Sequence, residues 1–256
     1  MTEQKALKLS NFDKWKQGID QAASNPKWGE WDCEIQRAVN EYNNHLADTE
    51  GYVRLDWHYI KAMIWVESGA GSPAWRTNPI QIGNAGDPGL KALLTDKDGK
   101  DKDHYEGGDL VMPPGLKEQL QLASVNSIPS RNIRAGIGYL LMKMMSYKYR
   151  SVTTDNKIYT VEVKPGNNSS VIAKEQGTTL FILEKLNPKI NIHKLHPGMT
   201  LKYQKASMQY IITDWQPIST ALITKLYNGG GDADYKRKLD YVWPLIHSRS
   251  AAICEQ

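Results

Sequence analysis

Cysteine is nearly missing from this 256-residue chain: there are two, Cys33 and Cys254, near opposite ends. Thiols so few and so far apart make neither a metal motif nor a disulfide framework. They pair if the termini meet, or stay as buried free thiols. No apolar stretch approaches the length of a membrane span. The N-terminal residues Met1-Thr2-Glu3-Gln4-Lys5-Ala6-Leu7-Lys8 lack an apolar core and a small-residue cleavage site, so no signal peptide is expected. Lys and Arg form no stripe interleaved with exposed aromatics, which argues against nucleic acid as a partner. His58, His104, His193, His196 and His247 show no metal-ligand spacing, and there is no Cys–His or Gly-x-Ser-x-Gly arrangement. The Asp96-Lys97-Asp98-Gly99 run is followed by no Glu that would close a twelve-residue calcium loop. The expectation is therefore no metal, no cofactor and no acyl-transfer nucleophile.

What is present is an ordinary charged fraction with a formal charge of +4 and 40% hydrophobic residues, enough for a substantial core in one large or two smaller domains. The mild positive excess suits a weakly anionic polymer such as a bacterial envelope, and equally a protein with no charged partner. Residues 1–28 are polar and Lys-rich and read as a loosely specified lead-in. Ile35, Val39, Tyr42 and Leu46 then follow helical spacing from Trp31. Residues 69–89 read as a long ordered turn and 95–109 as a solvated loop. Ile133, Gly136, Ile137, Leu140, Leu141 and Met144 define the most regular helix, in which Gly136 and Gly138 should let another backbone come close. A last helix carries Tyr235, Leu239, Val242 and Ile246, with Pro244 expected to kink or shorten it.

One ionisable residue stands at the end of an apolar helical stripe. Trp57, Ile60, Ile64 and Glu67 recur at i, i+3, i+7 and i+10, so they share a face. A carboxyl held there is partly desolvated, which raises its pKa and makes it a proton donor near neutral pH, the requirement for breaking a glycosidic bond. The plain alternative is a helix-terminal Glu pointing to water.

Four segments in order bear on that choice: Glu67-Ser68, Asn78-Pro79-Ile80-Gln81-Ile82-Gly83, Asn132-Ile133 with Tyr139-Leu140, and Tyr227-Asn228-Gly229. Together they resemble the signature of the soluble lytic transglycosylase and goose-type lysozyme families, over roughly residues 30–150 and 207–247. The turn here reads Asn78-Pro79-Ile80-Gln81 where those families carry Gly-Leu-Met-Gln. Between the two stretches the patterning changes. Tyr159-Thr160-Val161, Pro165-Gly166, Ile172-Ala173, Leu186-Asn187-Pro188 and Leu195-His196-Pro197-Gly198 resemble a LysM module, strand–helix–helix–strand. Asn167-Asn168 replaces that family's usual Asp-Thr or Asp-Ser. The expected fold is mainly α (α+β): a lysozyme-like helical domain in two parts, 29–155 and 207–256, interrupted by a βααβ LysM-like domain at 156–206, after a lead-in at 1–28.

The resemblance implies a function as well. Glu67 would act as general acid and base on the β-1,4 bond between N-acetylmuramic acid and N-acetylglucosamine in peptidoglycan glycan strands. A transglycosylase needs that carboxyl alone. A muramidase needs a second, for which Asp87 is the first candidate and Asp109 the next, although an Asp before Pro equally serves as an Asx-turn. Tyr227 matches the family tyrosine that reaches the catalytic carboxyl. Ser68, Asn78, Gln81, Ile82, Tyr139 and Asn228 would bind substrate. The inserted module would bind N-acetylglucosamine-containing glycan. A wall-cleaving enzyme without an export signal would act in the periplasm or cell wall after delivery or lysis. That leads to an antibacterial effector with a type VI-like secretion carrier and an immunity protein, or to a phage-type lysin. The reading from a different class is a non-catalytic glycan-binding or structural protein that keeps the fold.

Overall fold

The computed structural model describes residues 9–22, 24–84, 86–95, 105–248 and 254. The charged run at 96–103 and His104 lie outside them. The protein is mainly helical with two small two-stranded sheets, an α+β arrangement. It divides into two compact units: Tyr147–Ile212, and the residues before and after that stretch. Among the described residues no helix is long and apolar enough to cross a membrane.

The helical unit begins with α1 (Asn11–Ala22) and α2 (Asp32–His45), followed by α3 (Trp57–Glu67) and α4 (Pro88–Thr95). Two single turns, α5 (Gly108–Val111) and α6 (Leu122–Val125), lead into α7 (Pro129–Met144). Residues 1–28 are thus not all lead-in. Phe12 and Ile19 are buried, and Phe12 and Trp15 meet Tyr241 edge-on at 6.4 and 6.2 Å. That burial supplies the stabilisation that the polar face of α1 cannot.

Helix α3 starts where Asp56 accepts a hydrogen bond from the His58 backbone N–H, an N-cap, and ends at Gly69 in the left-handed region (φ 65°). Ser68 and Gly69 both donate to Ile64 O, closing the last turn. Between these ends Ile60, Met63, Ile64 and Trp65 are fully buried. Glu67 therefore stands on the last turn of a rigid element, which fixes its backbone.

Helices α2 and α4 pack on α7. Gly136 and Gly138 admit side chains here, where the sequence suggested backbone. A Cβ at Gly136 would lie 2.5 Å from Ile80 Cγ2, and one at Gly138 would lie 2.5 Å from Tyr42 Oη. Tyr42 Oη donates to Arg134 O (2.8 Å), so the phenol crossing that gap is hydrogen-bonded.

The last two helices are α10 (Thr220–Leu226) and α11 (Tyr235–His247). Pro244 does not end α11, which continues to His247, and Ser248 N donates to Pro244 O at 3.1 Å. Helix α11 packs along α3, and Tyr59 stacks on Trp243 at 3.9 Å with the rings 19° apart. A disulfide joins Cys33 to Cys254 across 221 positions, which settles the question the sequence left open.

The unit Tyr147–Ile212 contains α8 (Ser169–Gln176) and α9 (Leu180–Leu186) between two short strands, β2 (Tyr159–Glu162) and β3 (Thr200–Tyr203). The strands pair antiparallel with Tyr159 opposite Tyr203 and Glu162 opposite Thr200. Their core is Val163, Ile172, Leu183 and Leu201. Asn168 caps α8 by accepting from Val171 N, and Gly177 ends it at φ 60°. Asn187 is buried and bonds three ways: its amide nitrogen donates to Leu183 O and Lys202 O, and its oxygen accepts from Lys202 N. It ties the end of α9 to β3 without a strand of its own. Two further strands, β1 (Met145–Thr153) and β4 (Ala206–Trp215), pair with each other as a separate ribbon.

Candidate functional site

Glu67 lines a groove of about 710 Å³ together with Trp15, Gly18, Trp28 and Ser72. Its carboxyl is only partly exposed, and burial raises its pKa to about 7. The other influences are smaller: a hydrogen bond from Tyr235 lowers it, the negative charge of Asp232 raises it, and Lys238 lowers it. A half-protonated carboxyl at neutral pH can both donate and accept a proton.

The phenol on that carboxyl belongs to Tyr235, whose hydroxyl donates to Glu67 Oε1 at 2.7 Å. Tyr227 does not hold it: its hydroxyl donates to Ile80 O at 2.8 Å. The physical reason is position on the chain. Tyr227 ends α10 and points to the loop that Gly136 accommodates, whereas Tyr235 opens α11, the helix packed directly on α3. The sequence reading counted Tyr235 as one more apolar position in a stripe. Its polar tip at the first residue of a helix was the available signal.

Asp87 is a loop builder. Its two oxygens accept from Gly83 N and Gly89 N, both at 2.7 Å, so the Asx-turn alternative describes it. Asp109 accepts a hydrogen bond from Tyr105. The carboxylate that acts on Glu67 electrostatically is Asp232, and its oxygens take Lys238 Nζ at 2.6 Å and Asp234 N at 2.9 Å.

The remaining predicted residues divide between the groove and its supports. Ser68 lines the groove, its hydroxyl turned back to Ile64 O at 3.3 Å. Gln81 comes to the same helix end: its amide nitrogen donates to the Glu67 backbone carbonyl. It is also the described non-glycine residue with a positive φ (55°), a conformation that costs energy and is held by its surroundings. Asn78 donates to Asn84 Oδ1 at 2.9 Å. Ile82 is buried, and its carbonyl takes the Asn132 amide at 3.1 Å, while Asn132 Oδ1 accepts from Ile80 N at 2.9 Å. Asn132, buried on α7, is thus what shapes the Ile80–Ile82 turn. Tyr139 meets Tyr227 edge-on at 5.7 Å. Asn228 closes its own turn with bonds to Asp232 O and from Asp232 N. The structure therefore brings Glu67, Ser68 and Gln81 together, and places Tyr227, Asn228, Asp87 and Asn78 in hydrogen bonds that build the loops around them.

A second group forms at the opposite end of α3, where sequence spacing gave no warning. Asp56, His58 and His247 offer ligand atoms that all lie within 4.8 Å of one another. Asp56 and His58 are two residues apart, but His247 arrives from α11 through the tertiary fold, so no motif search over the sequence finds the set.

The fold and the site together define a two-unit protein of mainly helical class with a small βααβ module. Residues 161–203, inside that module, match the LysM domain, and the match supports a peptidoglycan-binding module. No curated protein and no solved structure matches the chain.

Proposed function

We propose that the protein cleaves peptidoglycan glycan strands, with the LysM module holding it on the wall and Glu67 supplying the proton. The observation that carries this reading is the Glu67 carboxyl, buried enough to titrate near 7 and opening on a groove walled by Trp15 and Trp28. Indole faces suit the apolar faces of sugar rings. In the forward step Glu67, protonated, gives its proton to the glycosidic oxygen as the bond to the sugar carbon breaks. The carboxylate so formed then takes a proton from the nucleophile that attacks that carbon.

Two nucleophiles are open to such a site: water, giving a hydrolase, or the muramic acid's own hydroxyl, giving a lytic transglycosylase. The second is favoured, because Asp232, the carboxylate that acts on Glu67, is bonded to Lys238 and a backbone N–H, and Asp87 is bonded into its own turn. A lysozyme-like helical unit fits this chemistry, and so does an oxidising compartment such as the periplasm, where the Cys33–Cys254 disulfide persists.

The test is turbidity clearing of purified walls by the unaltered protein and by Glu67→Gln. Clearing by the former and not the latter is expected, with wall binding equal in both. Product mass separates the routes, an anhydro end being one water lighter than a reducing end. A protein that sediments with walls and never clears them is instead a glycan-binding protein, the reading that the LysM match favours by itself.

A further inference from the structure

Helices α3 and α11 run side by side and are fastened at both ends. At one end Tyr235 holds Glu67; at the other, Asp56 holds His58 and His247. The Asp56 carboxylate reaches both imidazoles, with Oδ1 2.6 Å from His58 Nδ1 and Oδ2 3.2 Å from His247 Nε2. The rings stack at 4.4 Å, 29° from parallel. Trp57 lies against His58 at 4.2 Å and Trp243 against His247 at 4.4 Å, so packing limits the rotation of each imidazole.

We propose that Asp56, His58 and His247 form a binding site for a first-row divalent transition metal of the zinc class. Two imidazole nitrogens and one carboxylate are the donor set such ions prefer, and three protein ligands leave a coordination position open. The ligand atoms already converge to within 4.8 Å. Bonds of about 2.0–2.2 Å around one centre need only a small adjustment of a cluster that size. The approach is open: the His247 and Asp56 side chains are 44% and 38% exposed, while His58 at 18% anchors the inner side. In the metal-free protein each imidazole turns a ring nitrogen to the carboxylate. Metal binding needs those nitrogens free of protons, so each neutral imidazole then carries its proton on the other ring nitrogen.

The ion would cross-link the start of α3 to the end of α11, the pair that sets Glu67 against Tyr235. Its position, ten residues and so about 15 Å from Glu67 along α3, separates it from the groove. It is a clasp on the scaffold and takes no part in glycan chemistry. The proposal does not depend on the glycan reading.

The experiment uses the untagged full-length protein, with Zn²⁺ alone as probe, in equilibrium dialysis read by elemental analysis alongside thermal unfolding. One ion per chain is expected, with a midpoint raised by about 5 °C at a hundredfold excess over Kd. His247→Gln and His58→Gln should each weaken binding by at least about tenfold and remove the thermal shift. His193→Gln and His196→Gln, in the other unit, should change neither. His247 is exposed enough that its variant should fold, and circular dichroism checks that it does. The proposal is overturned by dialysis that shows no stoichiometric zinc, by binding that survives His247→Gln unchanged, or by binding lost through His193→Gln or His196→Gln.

Discussion

Glu67 carries its proton to about pH 7 in the folded protein, against 4.5 for the ordinary group. Between those values the native state holds a proton that the unfolded chain has lost, so stability falls as pH rises through that window and levels off above it. Glu67→Gln keeps an oxygen for Tyr235 and removes the charge. Urea denaturation should find it more stable than the parent by up to about 3 kcal/mol at pH 8 and equal to it at pH 4. A variant no more stable at pH 8 would mean the carboxyl is better solvated than the structure has it. Tyr235→Phe takes away a bond that favours the charged form, so the alkaline limb of wall clearing should move upward in pH. Tyr227→Phe should leave that limb in place and instead destabilise the protein, because Ile80 O loses its partner. At this scale the sequence left Glu67 between a desolvated carboxyl and one pointing to water, and its burial in the fold favours the first. The sequence hid the acid's partner, because a tyrosine in a helical stripe looks like core until the neighbouring helix is known. Asp87 illustrates the converse: its chemistry qualified it, and the adjacent turn N–H groups had already claimed it.

At the scale of elements, α2, α3, α7 and α11 were legible because each carries a stripe at helical spacing. Helix α1 was not, since its apolar residues are few and depend on Tyr241 for a surface to pack on. Strands β1 and β4 were missed for another reason. Tyr147, Lys148, Tyr149 and Arg150 alternate aromatic with basic side chains, directly after a long helix, with no glycine or proline to mark the change. Gly136 was expected to receive backbone and receives Ile80, the residue whose carbonyl Tyr227 bonds and whose N–H Asn132 bonds. Gly136→Ala must therefore displace the turn carrying Gln81. A cost of about 1–3 kcal/mol is expected in chemical denaturation, despite alanine's better helix propensity. A stabilised variant would show that Ile80 yields freely.

Taken whole, the chain combines a LysM-matching module with a helical unit whose long segments are tied through Cys33 and Cys254. That closure spans 221 positions, and losing it through Cys254→Ser should lower stability by about 2–5 kcal/mol, measurable as an earlier urea midpoint. An unmoved midpoint in the variant, matched by an unmoved midpoint of the parent under reductant, would show that the link adds no stability. The module was readable because its turn residues and short periodic runs sit in order over fewer than fifty residues. The disulfide was not, because sequence separation conceals a Cα–Cα distance of 5.3 Å. All of the glycan chemistry proposed for the molecule passes through one carboxyl, so its titration is the most direct test. Carbon-detected NMR of the Glu67 side chain, assigned by comparison with Glu67→Gln, should show a midpoint near 7; a midpoint near 4.5 would contradict the account.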